Sequence, residues 1–125
     1  MPTHDSKCFD QVARTMEILR GKWTVQILCA LLAGPVRLSQ LRRLIPPASK
    51  KALTANLRSL EKVSLISRRD LSNSVLHVQY EIAEAARVPL AALVHQLSEF
   101  QNYLPTREGI AVQVATAVQD LDGSQ

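Results

Sequence analysis

Two adjacent prolines, Pro46-Pro47, interrupt a stretch of sequence that otherwise reads as helix on both sides. Proline has no backbone N–H and its ring clashes with the preceding turn, so no single helix can pass through this point. Before the break, Leu41, Leu44 and Ile45 are spaced to face inward, and Ser39 is placed to cap the segment with Leu38 as a hydrophobic staple. After it, Ser49 is placed to cap a third helix in which Leu53, Leu57 and Leu60 recur at i, i+4 and i+7. Lys50, Thr54 and Arg58 occupy the other side of that helix, with Lys51 and Lys62 beside them. Two short amphipathic helices joined by a forced turn are the elements of a helix-turn-helix.

The flanking sequence supplies the scaffold. Phe9, Val12, Met16 and Leu19 share one helical face, and Gly21-Lys22 interrupts that pattern. Trp23, Ile27, Leu28, Leu31 and Leu32 form a broad apolar stripe that Gly34-Pro35 terminates. Cys29 lies within this stripe and is expected to fill the core. From Leu65 the period changes. Ile66, Arg68 and Asp70 alternate with Ser67, Arg69 and Leu71, Ser72-Asn73-Ser74 is a turn cluster, and Leu76, Val78, Tyr80 and Ile82 alternate with polar residues. This predicts a β-hairpin wing.

Residues 84–104 return to helix. Pro89 is compatible if it falls in the first turn. Leu90, Leu93, Val94, Leu97, Phe100 and Leu104 make a long seam, too apolar to leave wet on a small domain and spaced for helix pairing, here expected between two copies. Pro105 ends this segment, and Ile110, Val114, Ala117, Val118 and Leu121 predict a last amphipathic helix near 109–121 before a polar tail. The expected organisation is therefore an arm over 1–7, a winged-helix domain with its pairing helix over 8–104, and a C-terminal helix and tail over 105–125. The fold class is mainly α with a small β-hairpin.

Charge separates the two ends. Residues 1–80 carry a net +8 and residues 81–125 a net −4, giving +4 over the 125 residues. The first part is suited to a polyanion and the second is not. An apolar content of 46% excludes a disordered tail, and an aromatic content of 4% makes the core aliphatic. No apolar run is long enough to span a membrane and Met1–Lys7 has no signal-peptide core, so a cytoplasmic protein with reduced thiols is expected. No paired carboxylates, nucleophile with a base, phosphate loop or metal spacing points to an enzyme, and no cofactor or metal is expected. His4, His77 and His95 read as isolated side chains.

A helix entering a DNA major groove needs small or hydrogen-bonding side chains near its N-terminus and cations flanking them. Residues 49–62 meet this requirement: Ala52 and Ala55 allow close approach, and Ser49, Thr54 and Asn56 can hydrogen-bond. The expected DNA contacts are Arg37, Ser39, Arg42, Arg43, Ser49, Lys50, Lys51, Thr54, Arg58, Arg68 and Arg69, with Arg42 and Arg43 able instead to pair with Glu17 or Glu61. The partner is double-stranded DNA. The alternative is a winged-helix protein-interaction module without DNA function, which would have no need of the basic first part.

Leu19-Arg20-Gly21-Lys22-Trp23, Arg37-Leu38-Ser39-Gln40-Leu41-Arg42-Arg43 and Leu53-Thr54 with Leu57-Arg58-Ser59-Leu60-Glu61, in this order, resemble the HxlR-type bacterial transcription regulators over about residues 8–100. The resemblance implies a sequence-specific, homodimeric winged helix-turn-helix regulator of transcription, dimerised through its terminal helices on a palindromic or pseudo-palindromic operator. It also implies a small-molecule or oxidant effector and a redox-sensing role for Cys8. Members usually carry Asp-Gly or a similar turn before the first wing strand, where this chain has Val63-Ser64.

Overall fold

The computed structural model describes residues 6–71 and 77–106. The proposed wing tip at Ser72-Asn73-Ser74-Val75-Leu76, the C-terminal helix near 109–121, His4 and most of the N-terminal arm lie outside the described residues. In chain order the elements are α1 (Ser6–Leu19), α2 (Thr24–Leu32), α3 (Leu38–Leu44), α4 (Lys50–Lys62), β1 (Ile66–Asp70), β2 (Val78–Ile82) and α5 (Glu84–Phe100), followed by a 3₁₀ turn at Gln101–Tyr103. The chain divides into two compact units, Met1–Pro89 and Leu90–Gln125. The division falls inside α5.

The first unit is organised around an aliphatic core. Ile27, Leu28 and Leu31 of α2, Leu41 of α3, Leu53, Leu57 and Leu60 of α4, Ile45 and Ala48 of the intervening turn, and Ile66 and Ile82 of the hairpin are all buried. Burying each large side chain contributes about 1.5–3 kcal/mol. A helix as short as α3 or α4 is marginal by itself, so this burial is what makes it form.

β1 and β2 are antiparallel, with Ile66 opposite Ile82, Arg68 opposite Tyr80 and Asp70 opposite Val78. Leu71 N–H continues the ladder by donating to His77 O at 2.7 Å. The segment before α3 adds a third line of pairing. Val36 and Tyr80 exchange backbone hydrogen bonds of 2.9 and 2.8 Å, so β2 is held on both sides.

That bridge moves the start of α3. Arg37 leaves it extended (φ −91°, ψ 160°) and is itself the N-cap residue; the expected Ser39 cap does not form. A guanidinium cannot accept a hydrogen bond, so the stabilising contact runs the other way: Arg37 backbone N–H donates to Gln40 Oε1 at 2.8 Å. Three further expectations are corrected. Leu44 is 61% exposed, because the chain leaves helical geometry at Ile45 (φ −126°, ψ 69°) and it is Ile45 that turns into the core. Cys29 is exposed. It stands about 150° around the helix from the centre of the face that Ile27, Leu28 and Leu31 bury. Pro89 is the sixth residue of α5, not a first-turn residue, since α5 begins at Glu84 directly after the Ala83 N–H to Leu65 O bond of 2.9 Å.

The junction of α4 with β1 is a Schellman motif. Leu65 N–H donates to Leu60 O at 3.1 Å and Ser64 N–H to Glu61 O at 3.0 Å. The geometry requires a left-handed residue, and Ser64 adopts φ +63°. A side chain pays about 1–2 kcal/mol for that conformation, which glycine avoids at some cost in unfolded-state entropy. We expect Ser64→Gly to stabilise the protein by about 0.5–1 kcal/mol, seen as a higher urea midpoint at unchanged slope; an unchanged or lower midpoint would show that the turn is not strained.

Candidate nucleic-acid interface

The turn between α3 and α4 is short because both its ends are anchored. Ile45 and Ala48 are buried, Ala48 N–H donates to Ile45 O at 3.0 Å, and Pro46 and Pro47 are left exposed between them. Ser49 then caps α4, its Oγ accepting from Ala52 N–H at 3.0 Å. With Leu53, Leu57 and Leu60 against the core, the opposite side of α4 is fixed by helical geometry. Its outermost line is Lys51, Ala55, Arg58 and Lys62, all exposed, at i, i+4, i+7 and i+11. They span about 16 Å of helix. Lys50 is exposed and Thr54 half-buried on one flank of this line.

Lys62 was not among the expected contacts, although the Lys51 to Lys62 spacing is readable from the sequence. Ala55 leaves a low point between Lys51 and Arg58 through which the helix axis could approach a flat edge closely. Among the described residues, no carboxylate lies within ion-pair distance of Lys50, Lys51, Arg58, Arg42 or Arg43. The anticipated alternative pairing of Arg42 and Arg43 with Glu17 or Glu61 is therefore not made. These two arginines, exposed in the last turn of α3, sit where a cation also favours the helix dipole.

The other expected contacts are placed differently. Arg37 is engaged within the chain: its Nε donates to His77 Nε2 at 2.9 Å, and its Nη2 lies 2.8 Å from His77 Nδ1. His77 is thus not the isolated side chain read from the sequence. Arg69 pairs with Glu81 at 3.2 Å, diagonally across the hairpin. Arg68 points to the opposite face of β1 and is exposed. Ser39 is exposed in the first turn of α3. Asn56 turns inward: Thr24 Oγ1 donates to its Oδ1 at 2.9 Å, and its Nδ2 donates to Ala52 O at 3.2 Å.

Of the expected pairing seam, Leu90 is 5% exposed and has little surface left to give to a partner. Leu93 and Val94 are half-buried, while Leu97, Phe100 and Leu104 are exposed, with Tyr103 stacked at a tilt on Phe100 (6.2 Å between ring centroids). On α1, Phe9, Val12 and Met16 are likewise exposed. Cys8 is exposed in the first turn of α1. No cluster of three metal-binding side chains occurs among the described residues, and no helix among them is long and apolar enough to cross a membrane.

A helix-turn-helix followed by a two-stranded hairpin defines a winged helix-turn-helix protein, and the comparisons narrow this class. The profile of the HxlR-like helix-turn-helix family matches residues 18–108, and the chain belongs to that family. Its relatives in Bacillus subtilis (strain 168) are HTH-type transcriptional regulators. YtcD is 41% identical over 76 residues, covering 61% of this chain and 60% of YtcD. YkvN is 33% identical over 94 residues, covering 75% of this chain and 79% of YkvN. The reduced form of the redox regulator HypR superposes with a TM-score of 0.69 at 27% identity, over 74% of this chain and 91% of HypR. The chain is a transcriptional regulator of this type.

Ser49→Ala removes the α4 cap and should cost about 1 kcal/mol, read as a lower thermal midpoint; no change would mean that the Ser49 hydroxyl does not hold the helix start.

Proposed function

We propose that this protein is a sequence-specific DNA-binding regulator that acts as a homodimer, with α4 in the major groove of each half of a palindromic or pseudo-palindromic operator. The observation that carries this reading is the line of exposed cations on α4, whose leucine face is fully committed to the core. An α-helix with side chains is about 10–12 Å across and the major groove is about 12 Å wide, so the outer face of α4 fits it. Thr54 and Arg58 are the base-edge readers of this proposal, and Ser39, Arg42, Arg43, Lys50 and Lys51 meet phosphates around them. Arg37 and Arg69 contribute from the root of the hairpin, and Arg68 from its other face. A regulator of this kind works in the cytoplasm, where its DNA lies.

Exposed Leu97, Phe100 and Leu104 at the end of the pairing seam, and separately exposed Val12 and Met16 on α1, support the dimer, because apolar side chains left in water on terminal elements gain by burial against a second copy. Cys8, exposed near a helix N-terminus, is the proposed oxidant sensor, by analogy with a relative described as a redox regulator. Peroxide would transfer one oxygen to the Cys8 thiolate, giving the sulfenate and water.

Titration of a duplex from the protein's own promoter should give an affinity whose logarithm falls linearly with log salt. Arg58→Ala should weaken binding by about 1–3 kcal/mol and relax its sequence preference, and Cys8→Ser should remove any response of binding to hydrogen peroxide. Absent or salt-independent binding would overturn the DNA reading and favour a protein-interaction module; a peroxide response surviving in Cys8→Ser would overturn the sensor.

Sedimentation equilibrium at micromolar concentration should give twice the chain mass of 13.8 kDa, and Leu97→Asp with Phe100→Asp should give the single mass. A wild-type monomer would remove the dimer from the proposal.

A further inference from the structure

We infer that Asn56 is not a base reader but a positioning residue, which together with Thr24 sets the rotation of α4 on its scaffold and therefore the aim of Thr54 and Arg58. This inference rests on the DNA reading proposed above. Asn56 has the chemistry of a base reader, because a primary amide can pair bidentately with adenine. Here both ends of the amide are used within the chain. Its Oδ1 accepts from Thr24 Oγ1 at 2.9 Å, and its Nδ2 donates to Ala52 O at 3.2 Å.

Three observations make this contact a locator. Thr24 is 3% exposed, the one polar residue in a core that is otherwise aliphatic among the described residues. Leucines on leucines tolerate small rotations, whereas a buried hydroxyl must keep its partner within hydrogen-bond range or lose it at full desolvation cost. Second, Thr24 opens α2, and its backbone N–H is already taken by Gly21 O at 3.1 Å, so its hydroxyl is free to bridge to α4. Third, the turn between α1 and α2 closes directly over the pair. A Cβ on Gly21 would collide with Thr24 Oγ1 and stand 2.8 Å from Asn56 Oδ1. Only a bare Cα fits there, so the turn, the start of α2 and the reading helix share one contact point. Asn56 flanks the Leu53, Leu57 and Leu60 stripe by about 60°, so it resists a roll of α4 about its own axis. A roll of this kind would carry the outer cation line off the groove.

The test compares the full chain carrying Thr24→Val, Thr24→Ser, Asn56→Leu and the Thr24→Val/Asn56→Leu pair. Binding is measured to a duplex from the protein's own promoter and to a scrambled duplex of equal length, across a salt series. Thr24→Val keeps the shape and removes the hydroxyl, and it should lower the promoter-to-scrambled affinity ratio about tenfold, the scale of one lost specific base contact. The salt slope should stay unchanged, because no cation is removed. Thr24→Ser, which keeps the hydroxyl, should retain the ratio within about twofold of wild type. The double variant leaves no orphaned polar atom, so its thermal midpoint should recover toward wild type while its ratio stays low; a contact that served stability alone would recover both. If wild type discriminates the two duplexes but Thr24→Val and the double variant do so equally well, the inference is overturned. If Thr24→Val is unaffected and Asn56→Leu alone loses the ratio, Asn56 reads a base and the inference is likewise overturned. If wild type shows no salt-dependent binding to either duplex, the DNA reading fails before any substitution is compared, and the inference fails with it.

Discussion

The burial of Leu53, Leu57 and Leu60, on a helix packed against α3 and β1, is the constraint on which the rest of the molecule depends. A 13-residue helix with lysines in its first turn has weak intrinsic stability in water. Three leucines in the core contribute about 5–9 kcal/mol between them by area alone, enough to fix one face inward. Once that face is fixed, the 100° step of the helix leaves no choice about the other. Lys51, Ala55, Arg58 and Lys62 must face water or a ligand. The same burial explains the turn, since Ile45 and Ala48 enter the core on either side of two prolines that cannot continue a helix.

Aliphatic packing sets the layers but fixes their rotation poorly. Directional contacts do that here, and two of the three join residues far apart in the chain. The Val36 bridge ties the start of α3 to β2. The Schellman turn at Ser64 sets the exit of α4 into β1, at a conformational cost that the two hydrogen bonds and the buried Leu60 outweigh. The Thr24 to Asn56 bond joins α2 to α4 over an α1–α2 turn that has room only for glycine.

This division also explains what was legible in the sequence. The leucine period of α4, the Pro46-Pro47 break, the Ser49 cap and the alternation in the hairpin are local patterns, and each was readable within a dozen residues. The Arg37 N-cap was not, because it follows from Val36 pairing with Tyr80, 44 positions on. Asn56 reads in sequence only as a side chain able to hydrogen-bond on α4, because its partner, Thr24, is 32 residues away and carries no mark of its role. The error at Cys29 had another cause. The run Ile27-Leu28-Cys29-Ala30-Leu31-Leu32 is apolar almost throughout, so its hydrophobicity hides the helical phase. Ile27, Leu28 and Leu31 define that phase, and Cys29 falls outside it. Gly21 was read only as an interruption, although its neighbours in space show why no other residue fits.

Arg37 and Arg69 look, in sequence, equivalent to Arg42 and Arg58, but they hold intramolecular partners at the root of the hairpin. Arg69 is 61% exposed in its pair with Glu81, and an ion pair so wet is worth at most about 1 kcal/mol. A phosphate offers Arg69 the same charge and geometry as a carboxylate, so in the proposed complex the exchange of one for the other costs little. Arg37 differs because its partner is an imidazole and its backbone caps α3. Withdrawing its side chain would loosen the contact between the start of α3 and the hairpin that the Val36 bridge also holds. The cations of this surface therefore fall into two kinds: those on α3 and α4 that have no acid partner among the described residues, and those at the hairpin root that hold intramolecular partners.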